Sequence, residues 1–588
     1  MRRRIGNALR AIGIYHSIFN LYWFLFRPSR FKQTLTGAVI RKLNTGANPN
    51  QPNSFSYRLI DRFYINKHVA VSNLGFQDIA STFASGTALF NRLAADRVKS
   101  TKQPRALVFI LRGHWYGHNL HNYLVGCALR QLGYQVSFVI CTGSVERCGT
   151  NNVNTPLFAP PFTCNGCRKI TKTMSLKGFS IINLNDYRSL DEDGQVEDIS
   201  KLSRDEIFNY RLNGIPVMES TSPFLMRFYC GDRRRIVSGE DEALNHFKSA
   251  IRFLLRYNNL LDQVEPSCLC FFNGLFFPEY LFFKEARSRG IPSLFVERGM
   301  RKSTIFISLN EPACHYRSDR VWEQVRDHIT SGMVEIAAAY LEKRTRTGPE
   351  DPTGQKRDLF DDDRDKYALL AKKPYVVLFA PVTHDTASME KDDLTGDFFG
   401  TLCLLSSLAV KLKKRLVVRS HPDELGASNP SHYTVKQYMI DQNLLHGEYV
   451  LCLDSDEKWD PYTLARWADA IVVYNGTLGI ELPALGYEIF NVAASNYSNK
   501  GFTHDIRSLE DFKRIFNEKK TQLSPQKREL ALKYLYYYVH VANISVDCLL
   551  DEYKPFDFTP VDYVEETKQR AQLDSIKQRL ALLLDLPS

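Results

Sequence analysis

Two segments decide the fold: Arg415-Leu-Val-Val-Arg-Ser-His421-Pro422 and Trp467-Ala-Asp-Ala-Ile-Val-Val-Tyr474-Asn-Gly476-Thr477-Leu-Gly479-Ile-Glu481. Each contains a short apolar run that is typical of a buried strand and that ends abruptly in polar residues. The second run passes through Gly476 and Thr477 directly into an apolar helical pattern. A strand that turns through glycine into a helix predicts a Rossmann-like α/β domain.

The junction at Gly476 and Thr477 also predicts an anion site. The first N–H groups of a helix have no partner within the helix, and the helix dipole is positive there, so a phosphate is stabilised by backbone alone. Ligands of open α/β sheets gather at the carboxyl ends of the strands, where both His421 and Thr477 are expected to lie. The alternative for each motif alone is a plain tight turn, which Rossmann-like domains also contain.

These motifs, followed by Lys500-Gly-Phe-Thr503, resemble the capsule polysaccharide biosynthesis family, which includes Kdo-transferase-like glycosyltransferases of GT-B fold. The resemblance covers most of the chain from Arg105 to Asp505. It implies that the His-Pro pair and the Thr-containing turn hold the nucleotide phosphates of a sugar donor. We carry these roles onto the following positions: His421, Pro422, Gly476 and Thr477.

Two further residues are expected beside the donor. Arg419 would add positive charge near the phosphates. Glu481, one turn into the helix, would accept hydrogen bonds from ribose hydroxyls, or would only complement the helix dipole.

Length and composition are those of an ordinary globular protein with a large core. At 588 residues, with 44% hydrophobic and 24% charged residues, the chain is long enough for two or more domains. Its formal charge of +11 favours anionic partners such as nucleotides, phospholipid surfaces or acidic glycans. Zinc-finger spacing, an aromatic ribonucleoprotein signature and a long lysine-rich arm are all missing from the sequence, so we expect no nucleic-acid partner.

The twelve cysteines are scattered over a long chain, which favours a reducing, cytoplasmic compartment over a disulfide scaffold. Cys164-Asn-Gly-Cys167 leaves open a structural zinc site, although a single C-x-x-C with irregular upstream spacing is more typical of unligated thiols. We expect no metal and no cofactor other than the nucleotide-sugar, which is a substrate.

Residues 1–30 differ from the rest. Met1-Arg-Arg-Arg4 precedes an apolar run from Ala11 to Phe26 that is shorter than the roughly 20 residues of a membrane span. Polar residues fall near one helical face, which predicts an amphipathic helix on an anionic membrane surface. The alternative is a helix packed on the protein itself.

The first domain, residues 31–340, is expected to bind the acceptor. Its firm pattern is a strand from Arg105, a loop from Arg112 to His121, a helix from Tyr123 to Leu132 and a strand from Tyr134. The loop histidines His114, His118 and His121 have a spacing that would suit a metal on a helix, but Gly113 and Gly117 favour a loop. We predict that His114 and His118 bind substrate, with loop packing as the alternative.

Glu297-Arg-Gly-Met-Arg301 resembles the family's Glu-x-Gly-x-x-Arg stretch, with a shifted order and with Arg298 where related transferases often carry an acid or amide. A carboxylate at the carboxyl end of a strand is well placed to deprotonate an acceptor hydroxyl. Glu297 is therefore predicted as catalytic and Arg301 as substrate-binding, with a solvated salt bridge of Glu297 to Arg298 or Arg301 as the alternative. Glu279 is a second candidate acid, or a helix-start residue.

The remaining segments follow in order. Residues 341–372 are rich in charge and turn formers and are predicted to be a linker. Residues 373–508 form the predicted donor domain, in which the loop Thr383-His384-Asp-Thr386 faces the same cleft as His421 and binds substrate. Residues 509–588 are predicted as helices over Arg507–Phe516, Lys527–Leu550 and Glu565–Leu584.

The predicted architecture is thus α/β, with two Rossmann-like domains that face a cleft in a GT-B-like arrangement and with helical extensions at both termini. The predicted function is transfer of a sugar from a nucleotide donor, CMP-linked donors included, to a capsule or other surface polysaccharide or its lipid anchor. The predicted location is the cytoplasmic face of the membrane, with polysaccharide export machinery as a candidate partner. Two alternatives stay open: a phosphotransferase that builds a teichoic-acid-like polymer from a CDP-alcohol, and a non-catalytic scaffold of polysaccharide export.

Overall fold

The computed structural model describes residues 103–112, 115–143, 145–149, 164, 179–199, 201–237, 241–347, 364–391, 394–426, 430–517, 521–554, 557–561 and 564–586. The predicted membrane-surface helix at residues 1–30, His114 and Cys167 lie outside these residues.

The strands, numbered along the chain, are β1 (Arg105–Ile110), β2 (Gln135–Ile140), β3 (Ser180–Asn183), β4 (Arg211–Leu212), β5 (Ile215–Pro216), β6 (Cys268–Phe272), β7 (Ser293–Arg298), β8 (Thr304–Leu309), β9 (Val376–Phe379), β10 (Leu416–Arg419), β11 (Val450–Leu453), β12 (Ala470–Val473), β13 (Phe490–Asn491), β14 (His504–Asp505), β15 (Ile544–Ser545), β16 (Leu550–Lys554) and β17 (Asp557–Pro560).

The α-helices are α1 (Tyr116–Gln131), α2 (Glu192–Ile199), α3 (Arg204–Asn209), α4 (Val217–Phe228), α5 (Arg233–Val237), α6 (Asp241–Val264), α7 (Glu279–Ser288), α8 (Asp319–Val325), α9 (Ser331–Thr347), α10 (Arg364–Ala371), α11 (Phe398–Leu412), α12 (Val435–Asp441), α13 (Pro461–Trp467), α14 (Leu478–Ala484), α15 (Leu509–Asn517), α16 (Pro525–Tyr536) and α17 (Glu566–Leu583).

The first domain is built on a seven-stranded sheet with the order β15-β8-β7-β6-β1-β2-β3. Strands β7, β6, β1, β2 and β3 are parallel, whereas β8 runs antiparallel to β7 and β15 antiparallel to β8. The central strands β1 and β6 are buried along almost their whole length, as expected for a sheet covered by helices on both faces. The chain order reverses between β1 and β6, and this is where such sheets bind ligands.

The second domain is a six-stranded, fully parallel sheet with the order β11-β10-β9-β12-β13-β14. This is the 3-2-1-4-5-6 order of doubly wound nucleotide-binding folds, with its reversal between β9 and β12. Separate apolar cores cover its two faces. The predicted fold class, two Rossmann-like α/β domains, is confirmed.

One helix begins earlier than predicted. Helix α1 starts at Tyr116, so His118 and His121 lie on it and the loop predicted to reach His121 is wrong. The amide of Asn119 donates to the carbonyl of Arg112 at 3.0 Å and fixes this first turn against the end of β1. This side-chain contact outweighs the weak helix propensity of Gly117.

The C-terminal segment returns to the first domain. The predicted helix to Leu550 is wrong beyond Val541, because α16 ends in a π-helical turn, Tyr537–Val541, and β15 then adds a strand to β8. Helix α17 packs on α1, and its Ile576 and Leu580 are fully buried. The segment predicted as a linker, 341–372, contains the end of α9 and all of α10. No helix among the described residues is long and apolar enough to cross a membrane.

Candidate functional site

The carboxyl ends of both sheets meet at a direct contact between the domains. Asn273 follows β6 at the reversal of the first sheet, and Thr386 lies in the loop after β9 at the reversal of the second. The amide nitrogen of Asn273 donates to the Thr386 hydroxyl at 3.4 Å and to Oε2 of Glu297 at 2.6 Å. The two ligand-binding edges therefore face each other across a cleft.

Glu297 lies in β7 at the first-domain side of this cleft. Its side chain is about nine-tenths buried, and Oε1 accepts from the backbone N–H of Arg298 at 2.8 Å. Burial raises the pKa of the Glu297 carboxyl to about 7, against the opposing effect of the hydrogen bond from Asn273. A carboxylate with a pKa near neutrality is well suited to accept a proton from a hydroxyl.

Two arginines at strand ends of the first sheet, Arg112 after β1 and Arg298 at the end of β7, each have a carboxylate partner. Arg112 forms a buried ion pair with Glu279, with one N–H···O contact at 2.9 Å. Arg298 pairs with Glu552 of the returning C-terminal segment. Glu279 is thus a structural partner at the start of α7.

Arg227, at the end of α4, differs from these arginines. Its guanidinium stacks on the ring of Phe276 at 4.4 Å and forms no hydrogen bond or ion pair with another described residue. The charges of Asp385 and Glu297 act on it, and burial lowers the pKa of the Arg227 guanidinium. It is a desolvated cation beside the candidate base.

A cavity of about 510 Å³ opens between the domains beside this site. The first domain contributes residues of α4 and α5, including Met226 and Arg233, and the second contributes the loop after β9, Tyr474 and the start of α11. Arg233 pairs with Asp397 at 2.5 Å across the cavity mouth. The space is within the range of pockets that hold small-molecule ligands.

His421 and Pro422 lie at the carboxyl end of β10, where the sequence places them. His421 caps the short turn Pro422–Leu425, because its Nδ1 accepts from the backbone N–H of Asp423 at 3.1 Å. A neutral ring that accepts at Nδ1 carries its proton on Nε2. About 40% of the His421 side chain is exposed, so the ring is accessible to a ligand.

Arg419 does not reach into the cleft. Its guanidinium is buried and donates to backbone carbonyls of Ser420, of Asp454 at 3.1 Å and of Glu457 at 3.2 Å. The side chain therefore orders the loop that follows β11. These contacts engage the guanidinium with protein carbonyls, so the geometry does not support the predicted role of Arg419 beside the phosphates.

Most residues of the motif after β12 have a structural role in the turn that they form. Gly476 has a φ of +102°, and a Cβ on Gly479 would meet the ring of Tyr497 at 1.9 Å. Asn475 donates to the carbonyl of Ala387 at 2.7 Å and ties the turn to the loop after β9. Helix α14 is short, with seven residues.

Thr477 and Glu481 both contact Arg344 of α9. Arg344 donates to the Thr477 hydroxyl at 3.1 Å and forms an ion pair with Oε1 of Glu481 at 2.5 Å. Oε2 of Glu481 accepts from the hydroxyl of Tyr462 at 2.7 Å, and the carboxylate is buried. Both oxygens thus have protein partners, which account for Glu481 without a ribose hydroxyl.

The other predicted substrate-binding residues are spread around the cleft. Thr383 and His384 are buried in the loop after β9, and His384 Nδ1 lies 3.3 Å from the hydroxyl of Ser431. The rings of His118 and Phe272 lie 4.2 Å apart between centroids at a tilt of 39°, and burial holds the pKa of His118 well below the usual value. Arg301 donates to the carbonyl of Val539 at 2.9 Å and so contacts the C-terminal segment.

Sequence reasoning missed three residues of this site: Asn273, Arg227 and Lys391. Asn273 directly follows a strand, and a search of the sequence for polar residues at strand ends finds it. Its φ in the structure is +57°. Lys391 stands in a charged run, Glu390-Lys-Asp-Asp393, that is typical of a solvated surface.

Across the described ranges, His, Cys, Asp and Glu side chains form no group of three suited to a metal ion.

Comparison with known proteins gives distant structural similarity only. No protein-family model and no curated protein sequence matches the chain. Among solved structures, the beta Kdo 2,7 transferase KpsC of Thermosulfurimonas dismutans is 15% identical over 55% of this chain and 89% of its own, with a TM-score of 0.30. The beta Kdo 2,4 transferase KpsC of the same organism is 14% identical over 46% and 79%, with a TM-score of 0.28.

A UDP-GlcNAc 2-epimerase from Neisseria meningitidis, bound to UDP-GlcNAc, is 11% identical over 82% of this chain and all of its own, with a TM-score of 0.21. Matches at this level assign no function. The residues of the cleft have to carry any functional proposal.

The Arg344–Glu481 pair gives the first prediction. Glu481→Ala should destabilise the protein by about 3–5 kcal/mol, because it leaves the largely buried Arg344 without its counter-ion. Chemical denaturation followed by tryptophan fluorescence measures this loss. Glu510→Ala, which removes an exposed pair with Lys513, is the control and should cost less than about 1 kcal/mol. If Glu481→Ala is as stable as the wild type but binds nucleotide more weakly, Glu481 is a ligand-binding residue and not a structural one.

Proposed function

We propose that the protein is a glycosyltransferase that moves a sugar from a nucleotide-activated donor to a hydroxyl of a surface glycan or its lipid anchor. The observation that carries the proposal is Glu297, a buried carboxylate at the carboxyl edge of the first sheet. Its pKa is raised to about 7, and Asn273 connects it to the facing edge of the second sheet. Groups with strongly shifted pKa values cluster at functional sites, and Glu297 combines such a shift with a position at the facing edges of the two sheets.

The proposed reaction uses Glu297 as the general base. The acceptor oxygen forms a bond to the anomeric carbon of the donor while Glu297 takes its proton. The bond between that carbon and the phosphate oxygen breaks, and its electron pair leaves with the nucleotide. Negative charge thus develops on the phosphate. Cations and N–H donors in the cleft therefore stabilise the transition state more than they stabilise the bound substrates.

The donor nucleotide is assigned to the second domain. His421 lies at the end of β10 with about 40% of its side chain exposed, and we assign its ring as a hydrogen-bond donor to a phosphate oxygen. The turn at Gly476 and Thr477 lies at the end of β12, beside the reversal of the sheet. The resemblance to capsule polysaccharide enzymes supports a CMP-linked donor and a polysaccharide acceptor.

The proposed location is the cytoplasmic face of the cell membrane. The basic, amphipathic sequence of residues 1–30 supports attachment to anionic lipid. A position at the membrane would bring the cleft to a lipid-anchored acceptor and to polysaccharide export machinery.

Glu297 gives the second prediction. In the wild-type protein, kcat/KM should rise with pH through about 7, because only the deprotonated carboxylate accepts the acceptor's proton. Glu297→Gln should lower turnover by about 10²–10⁴-fold and abolish this pH dependence. A steady-state assay of nucleotide release between pH 5.5 and 8.5 measures both effects.

Glu424 provides the matched control for Glu297. It is also fully buried, and burial raises its pKa to about 7, but its partners are the Ser455 hydroxyl and the N–H of Val435. Glu424→Gln should therefore keep the rise of kcat/KM near pH 7. Persistence of that rise in Glu297→Gln would show that another group is the base.

His421 gives the third prediction. His421→Ala should lower turnover by about 10²–10³-fold while nucleotide affinity changes much less, because the lost donor acts on charge that develops in the transition state. Thr477→Ala should be milder, since the backbone N–H groups of the turn remain. Turnover and nucleotide Kd are measured in parallel.

His421→Asn separates catalysis from capping. An asparagine carbonyl can still accept from the N–H of Asp423, so the turn Pro422–Leu425 and the melting temperature should be retained while turnover falls. Near-normal turnover of His421→Ala in a folded protein would reduce the residue to a turn cap.

A further inference from the structure

The cavity between the domains contains a buried cation that the proposed mechanism does not use. Lys391 lines this cavity together with Thr383, Ser388 and the first turn of α11. The lysine is more than nine-tenths buried. It follows Glu390 in the loop that connects β9 to α11.

Lys391 lacks a counter-ion at contact distance. Within the described part of the chain its ammonium forms neither a hydrogen bond nor an ion pair within 4.0 Å. Lysine is almost never fully buried without a partner, because desolvation of an ammonium costs several kcal/mol in a protein interior. The free energy stored at this position favours any anion that can enter the cavity.

A second unpartnered group lines the same cavity. The hydroxyl of Thr383 is buried and has no hydrogen-bond partner among the described residues. A buried hydroxyl without a partner costs free energy that a ligand atom can recover. An anion with oxygen atoms supplies the acceptors that an ammonium and a hydroxyl both require.

We propose that Lys391 and Thr383 form an anion subsite of the cleft cavity, which takes a phosphate of the nucleotide or a carboxylate of an acidic donor sugar. This deepens the proposed function, on which it rests for the identity of the ligand. The subsite itself needs only a small oxyanion. Its position between α4 and the loop after β9 places the bound anion at the contact between the two domains.

The charged and titratable groups around Lys391 come from both domains. Arg317, Glu311 and Cys314 act on it from the first domain and Asp385 from its own loop, and Arg233, Glu390 and Asp397 line the cavity. Burial, followed by the charge of Arg317, lowers the pKa of Lys391 to about 8. An anion beside the ammonium raises that pKa again, so binding at pH 8.5 should take up protons.

The test combines thermal unfolding with titration calorimetry. Pyrophosphate, CMP and glucuronate are the probes, since the first carries phosphate alone, the second a nucleotide phosphate and the third only a sugar carboxylate. The wild-type protein should gain thermal stability with at least one probe. Calorimetry at pH 8.5 in two buffers of different ionisation enthalpy should show uptake of a fraction of a proton per bound anion.

Lys391→Met should bind the same probe about 10- to 100-fold more weakly and lose the proton uptake. Without a ligand it should melt at the same or a higher temperature than the wild type, because an unpaired buried charge has been removed. Lys500→Met is the control: Lys500 is equally buried but pairs with Asp319 at 2.6 Å, so its loss should lower the melting temperature and leave probe binding intact.

The outcomes identify the ligand of the subsite and separate the subsite proposal from the proposed transfer reaction. Stabilisation by phosphate probes alone assigns the subsite to the nucleotide, and stabilisation by glucuronate assigns it to an acidic sugar. Unchanged probe affinity and proton uptake in Lys391→Met, or no response of the wild type to any probe, would overturn the subsite even if Glu297-dependent transfer is observed. Anion binding through Lys391 without transfer would overturn the proposed function alone.

Discussion

The Asn273 amide is the contact on which the site depends. It holds Glu297 from the first sheet and reaches the Thr386 hydroxyl of the second, so the carboxyl edges of two separate sheets meet at one side chain. Because this meeting excludes water, it raises the pKa of Glu297 and leaves the nearby cations desolvated. The chemistry of the cleft is therefore a product of the packing between the domains.

The ionised groups around the cleft fall into two kinds. Arg112, Arg298 and Arg344 pair with carboxylates and fix strand ends and helices in place. Arg227 and Lys391 lack such partners among the described residues and are the ones available to a ligand. Removing a partner from the first kind costs stability, whereas the second kind stores free energy that ligand binding can release.

The sequence predicted the central strands of both sheets, because buried parallel strands are short apolar runs bounded by polar residues. The sequence patterns correctly place four of these strands, β6, β7, β9 and β12, and also helix α11. The start of α1 was missed because a side-chain contact from Asn119 to the carbonyl of Arg112 fixes its first turn, and β15 was missed because it pairs with β8, far away along the chain. Local propensity carries no information about such contacts.

The site was less accessible to sequence reasoning for the same reason. Glu297 and His421 lie at strand ends, and the sequence was sufficient to identify them as candidates. The Glu481 side chain, in contrast, is accounted for by its contacts with Arg344 and Tyr462. Lys391 looks like a surface charge in its sequence context, and only the packing of both domains buries it. Burial and the lack of a counter-ion are properties of the tertiary structure.

Donor hydrolysis tests the central claim most directly, because it needs no identified acceptor. The protein is incubated with CMP-, UDP- and GDP-linked sugars in the absence of a glycan, and the products are identified by mass spectrometry. The account predicts slow release of free sugar and nucleotide from one donor class, strongly reduced in Glu297→Gln. No cleavage of any donor, cleavage that is unaffected by Glu297→Gln, or a product that retains the phosphate on the transferred group would contradict it.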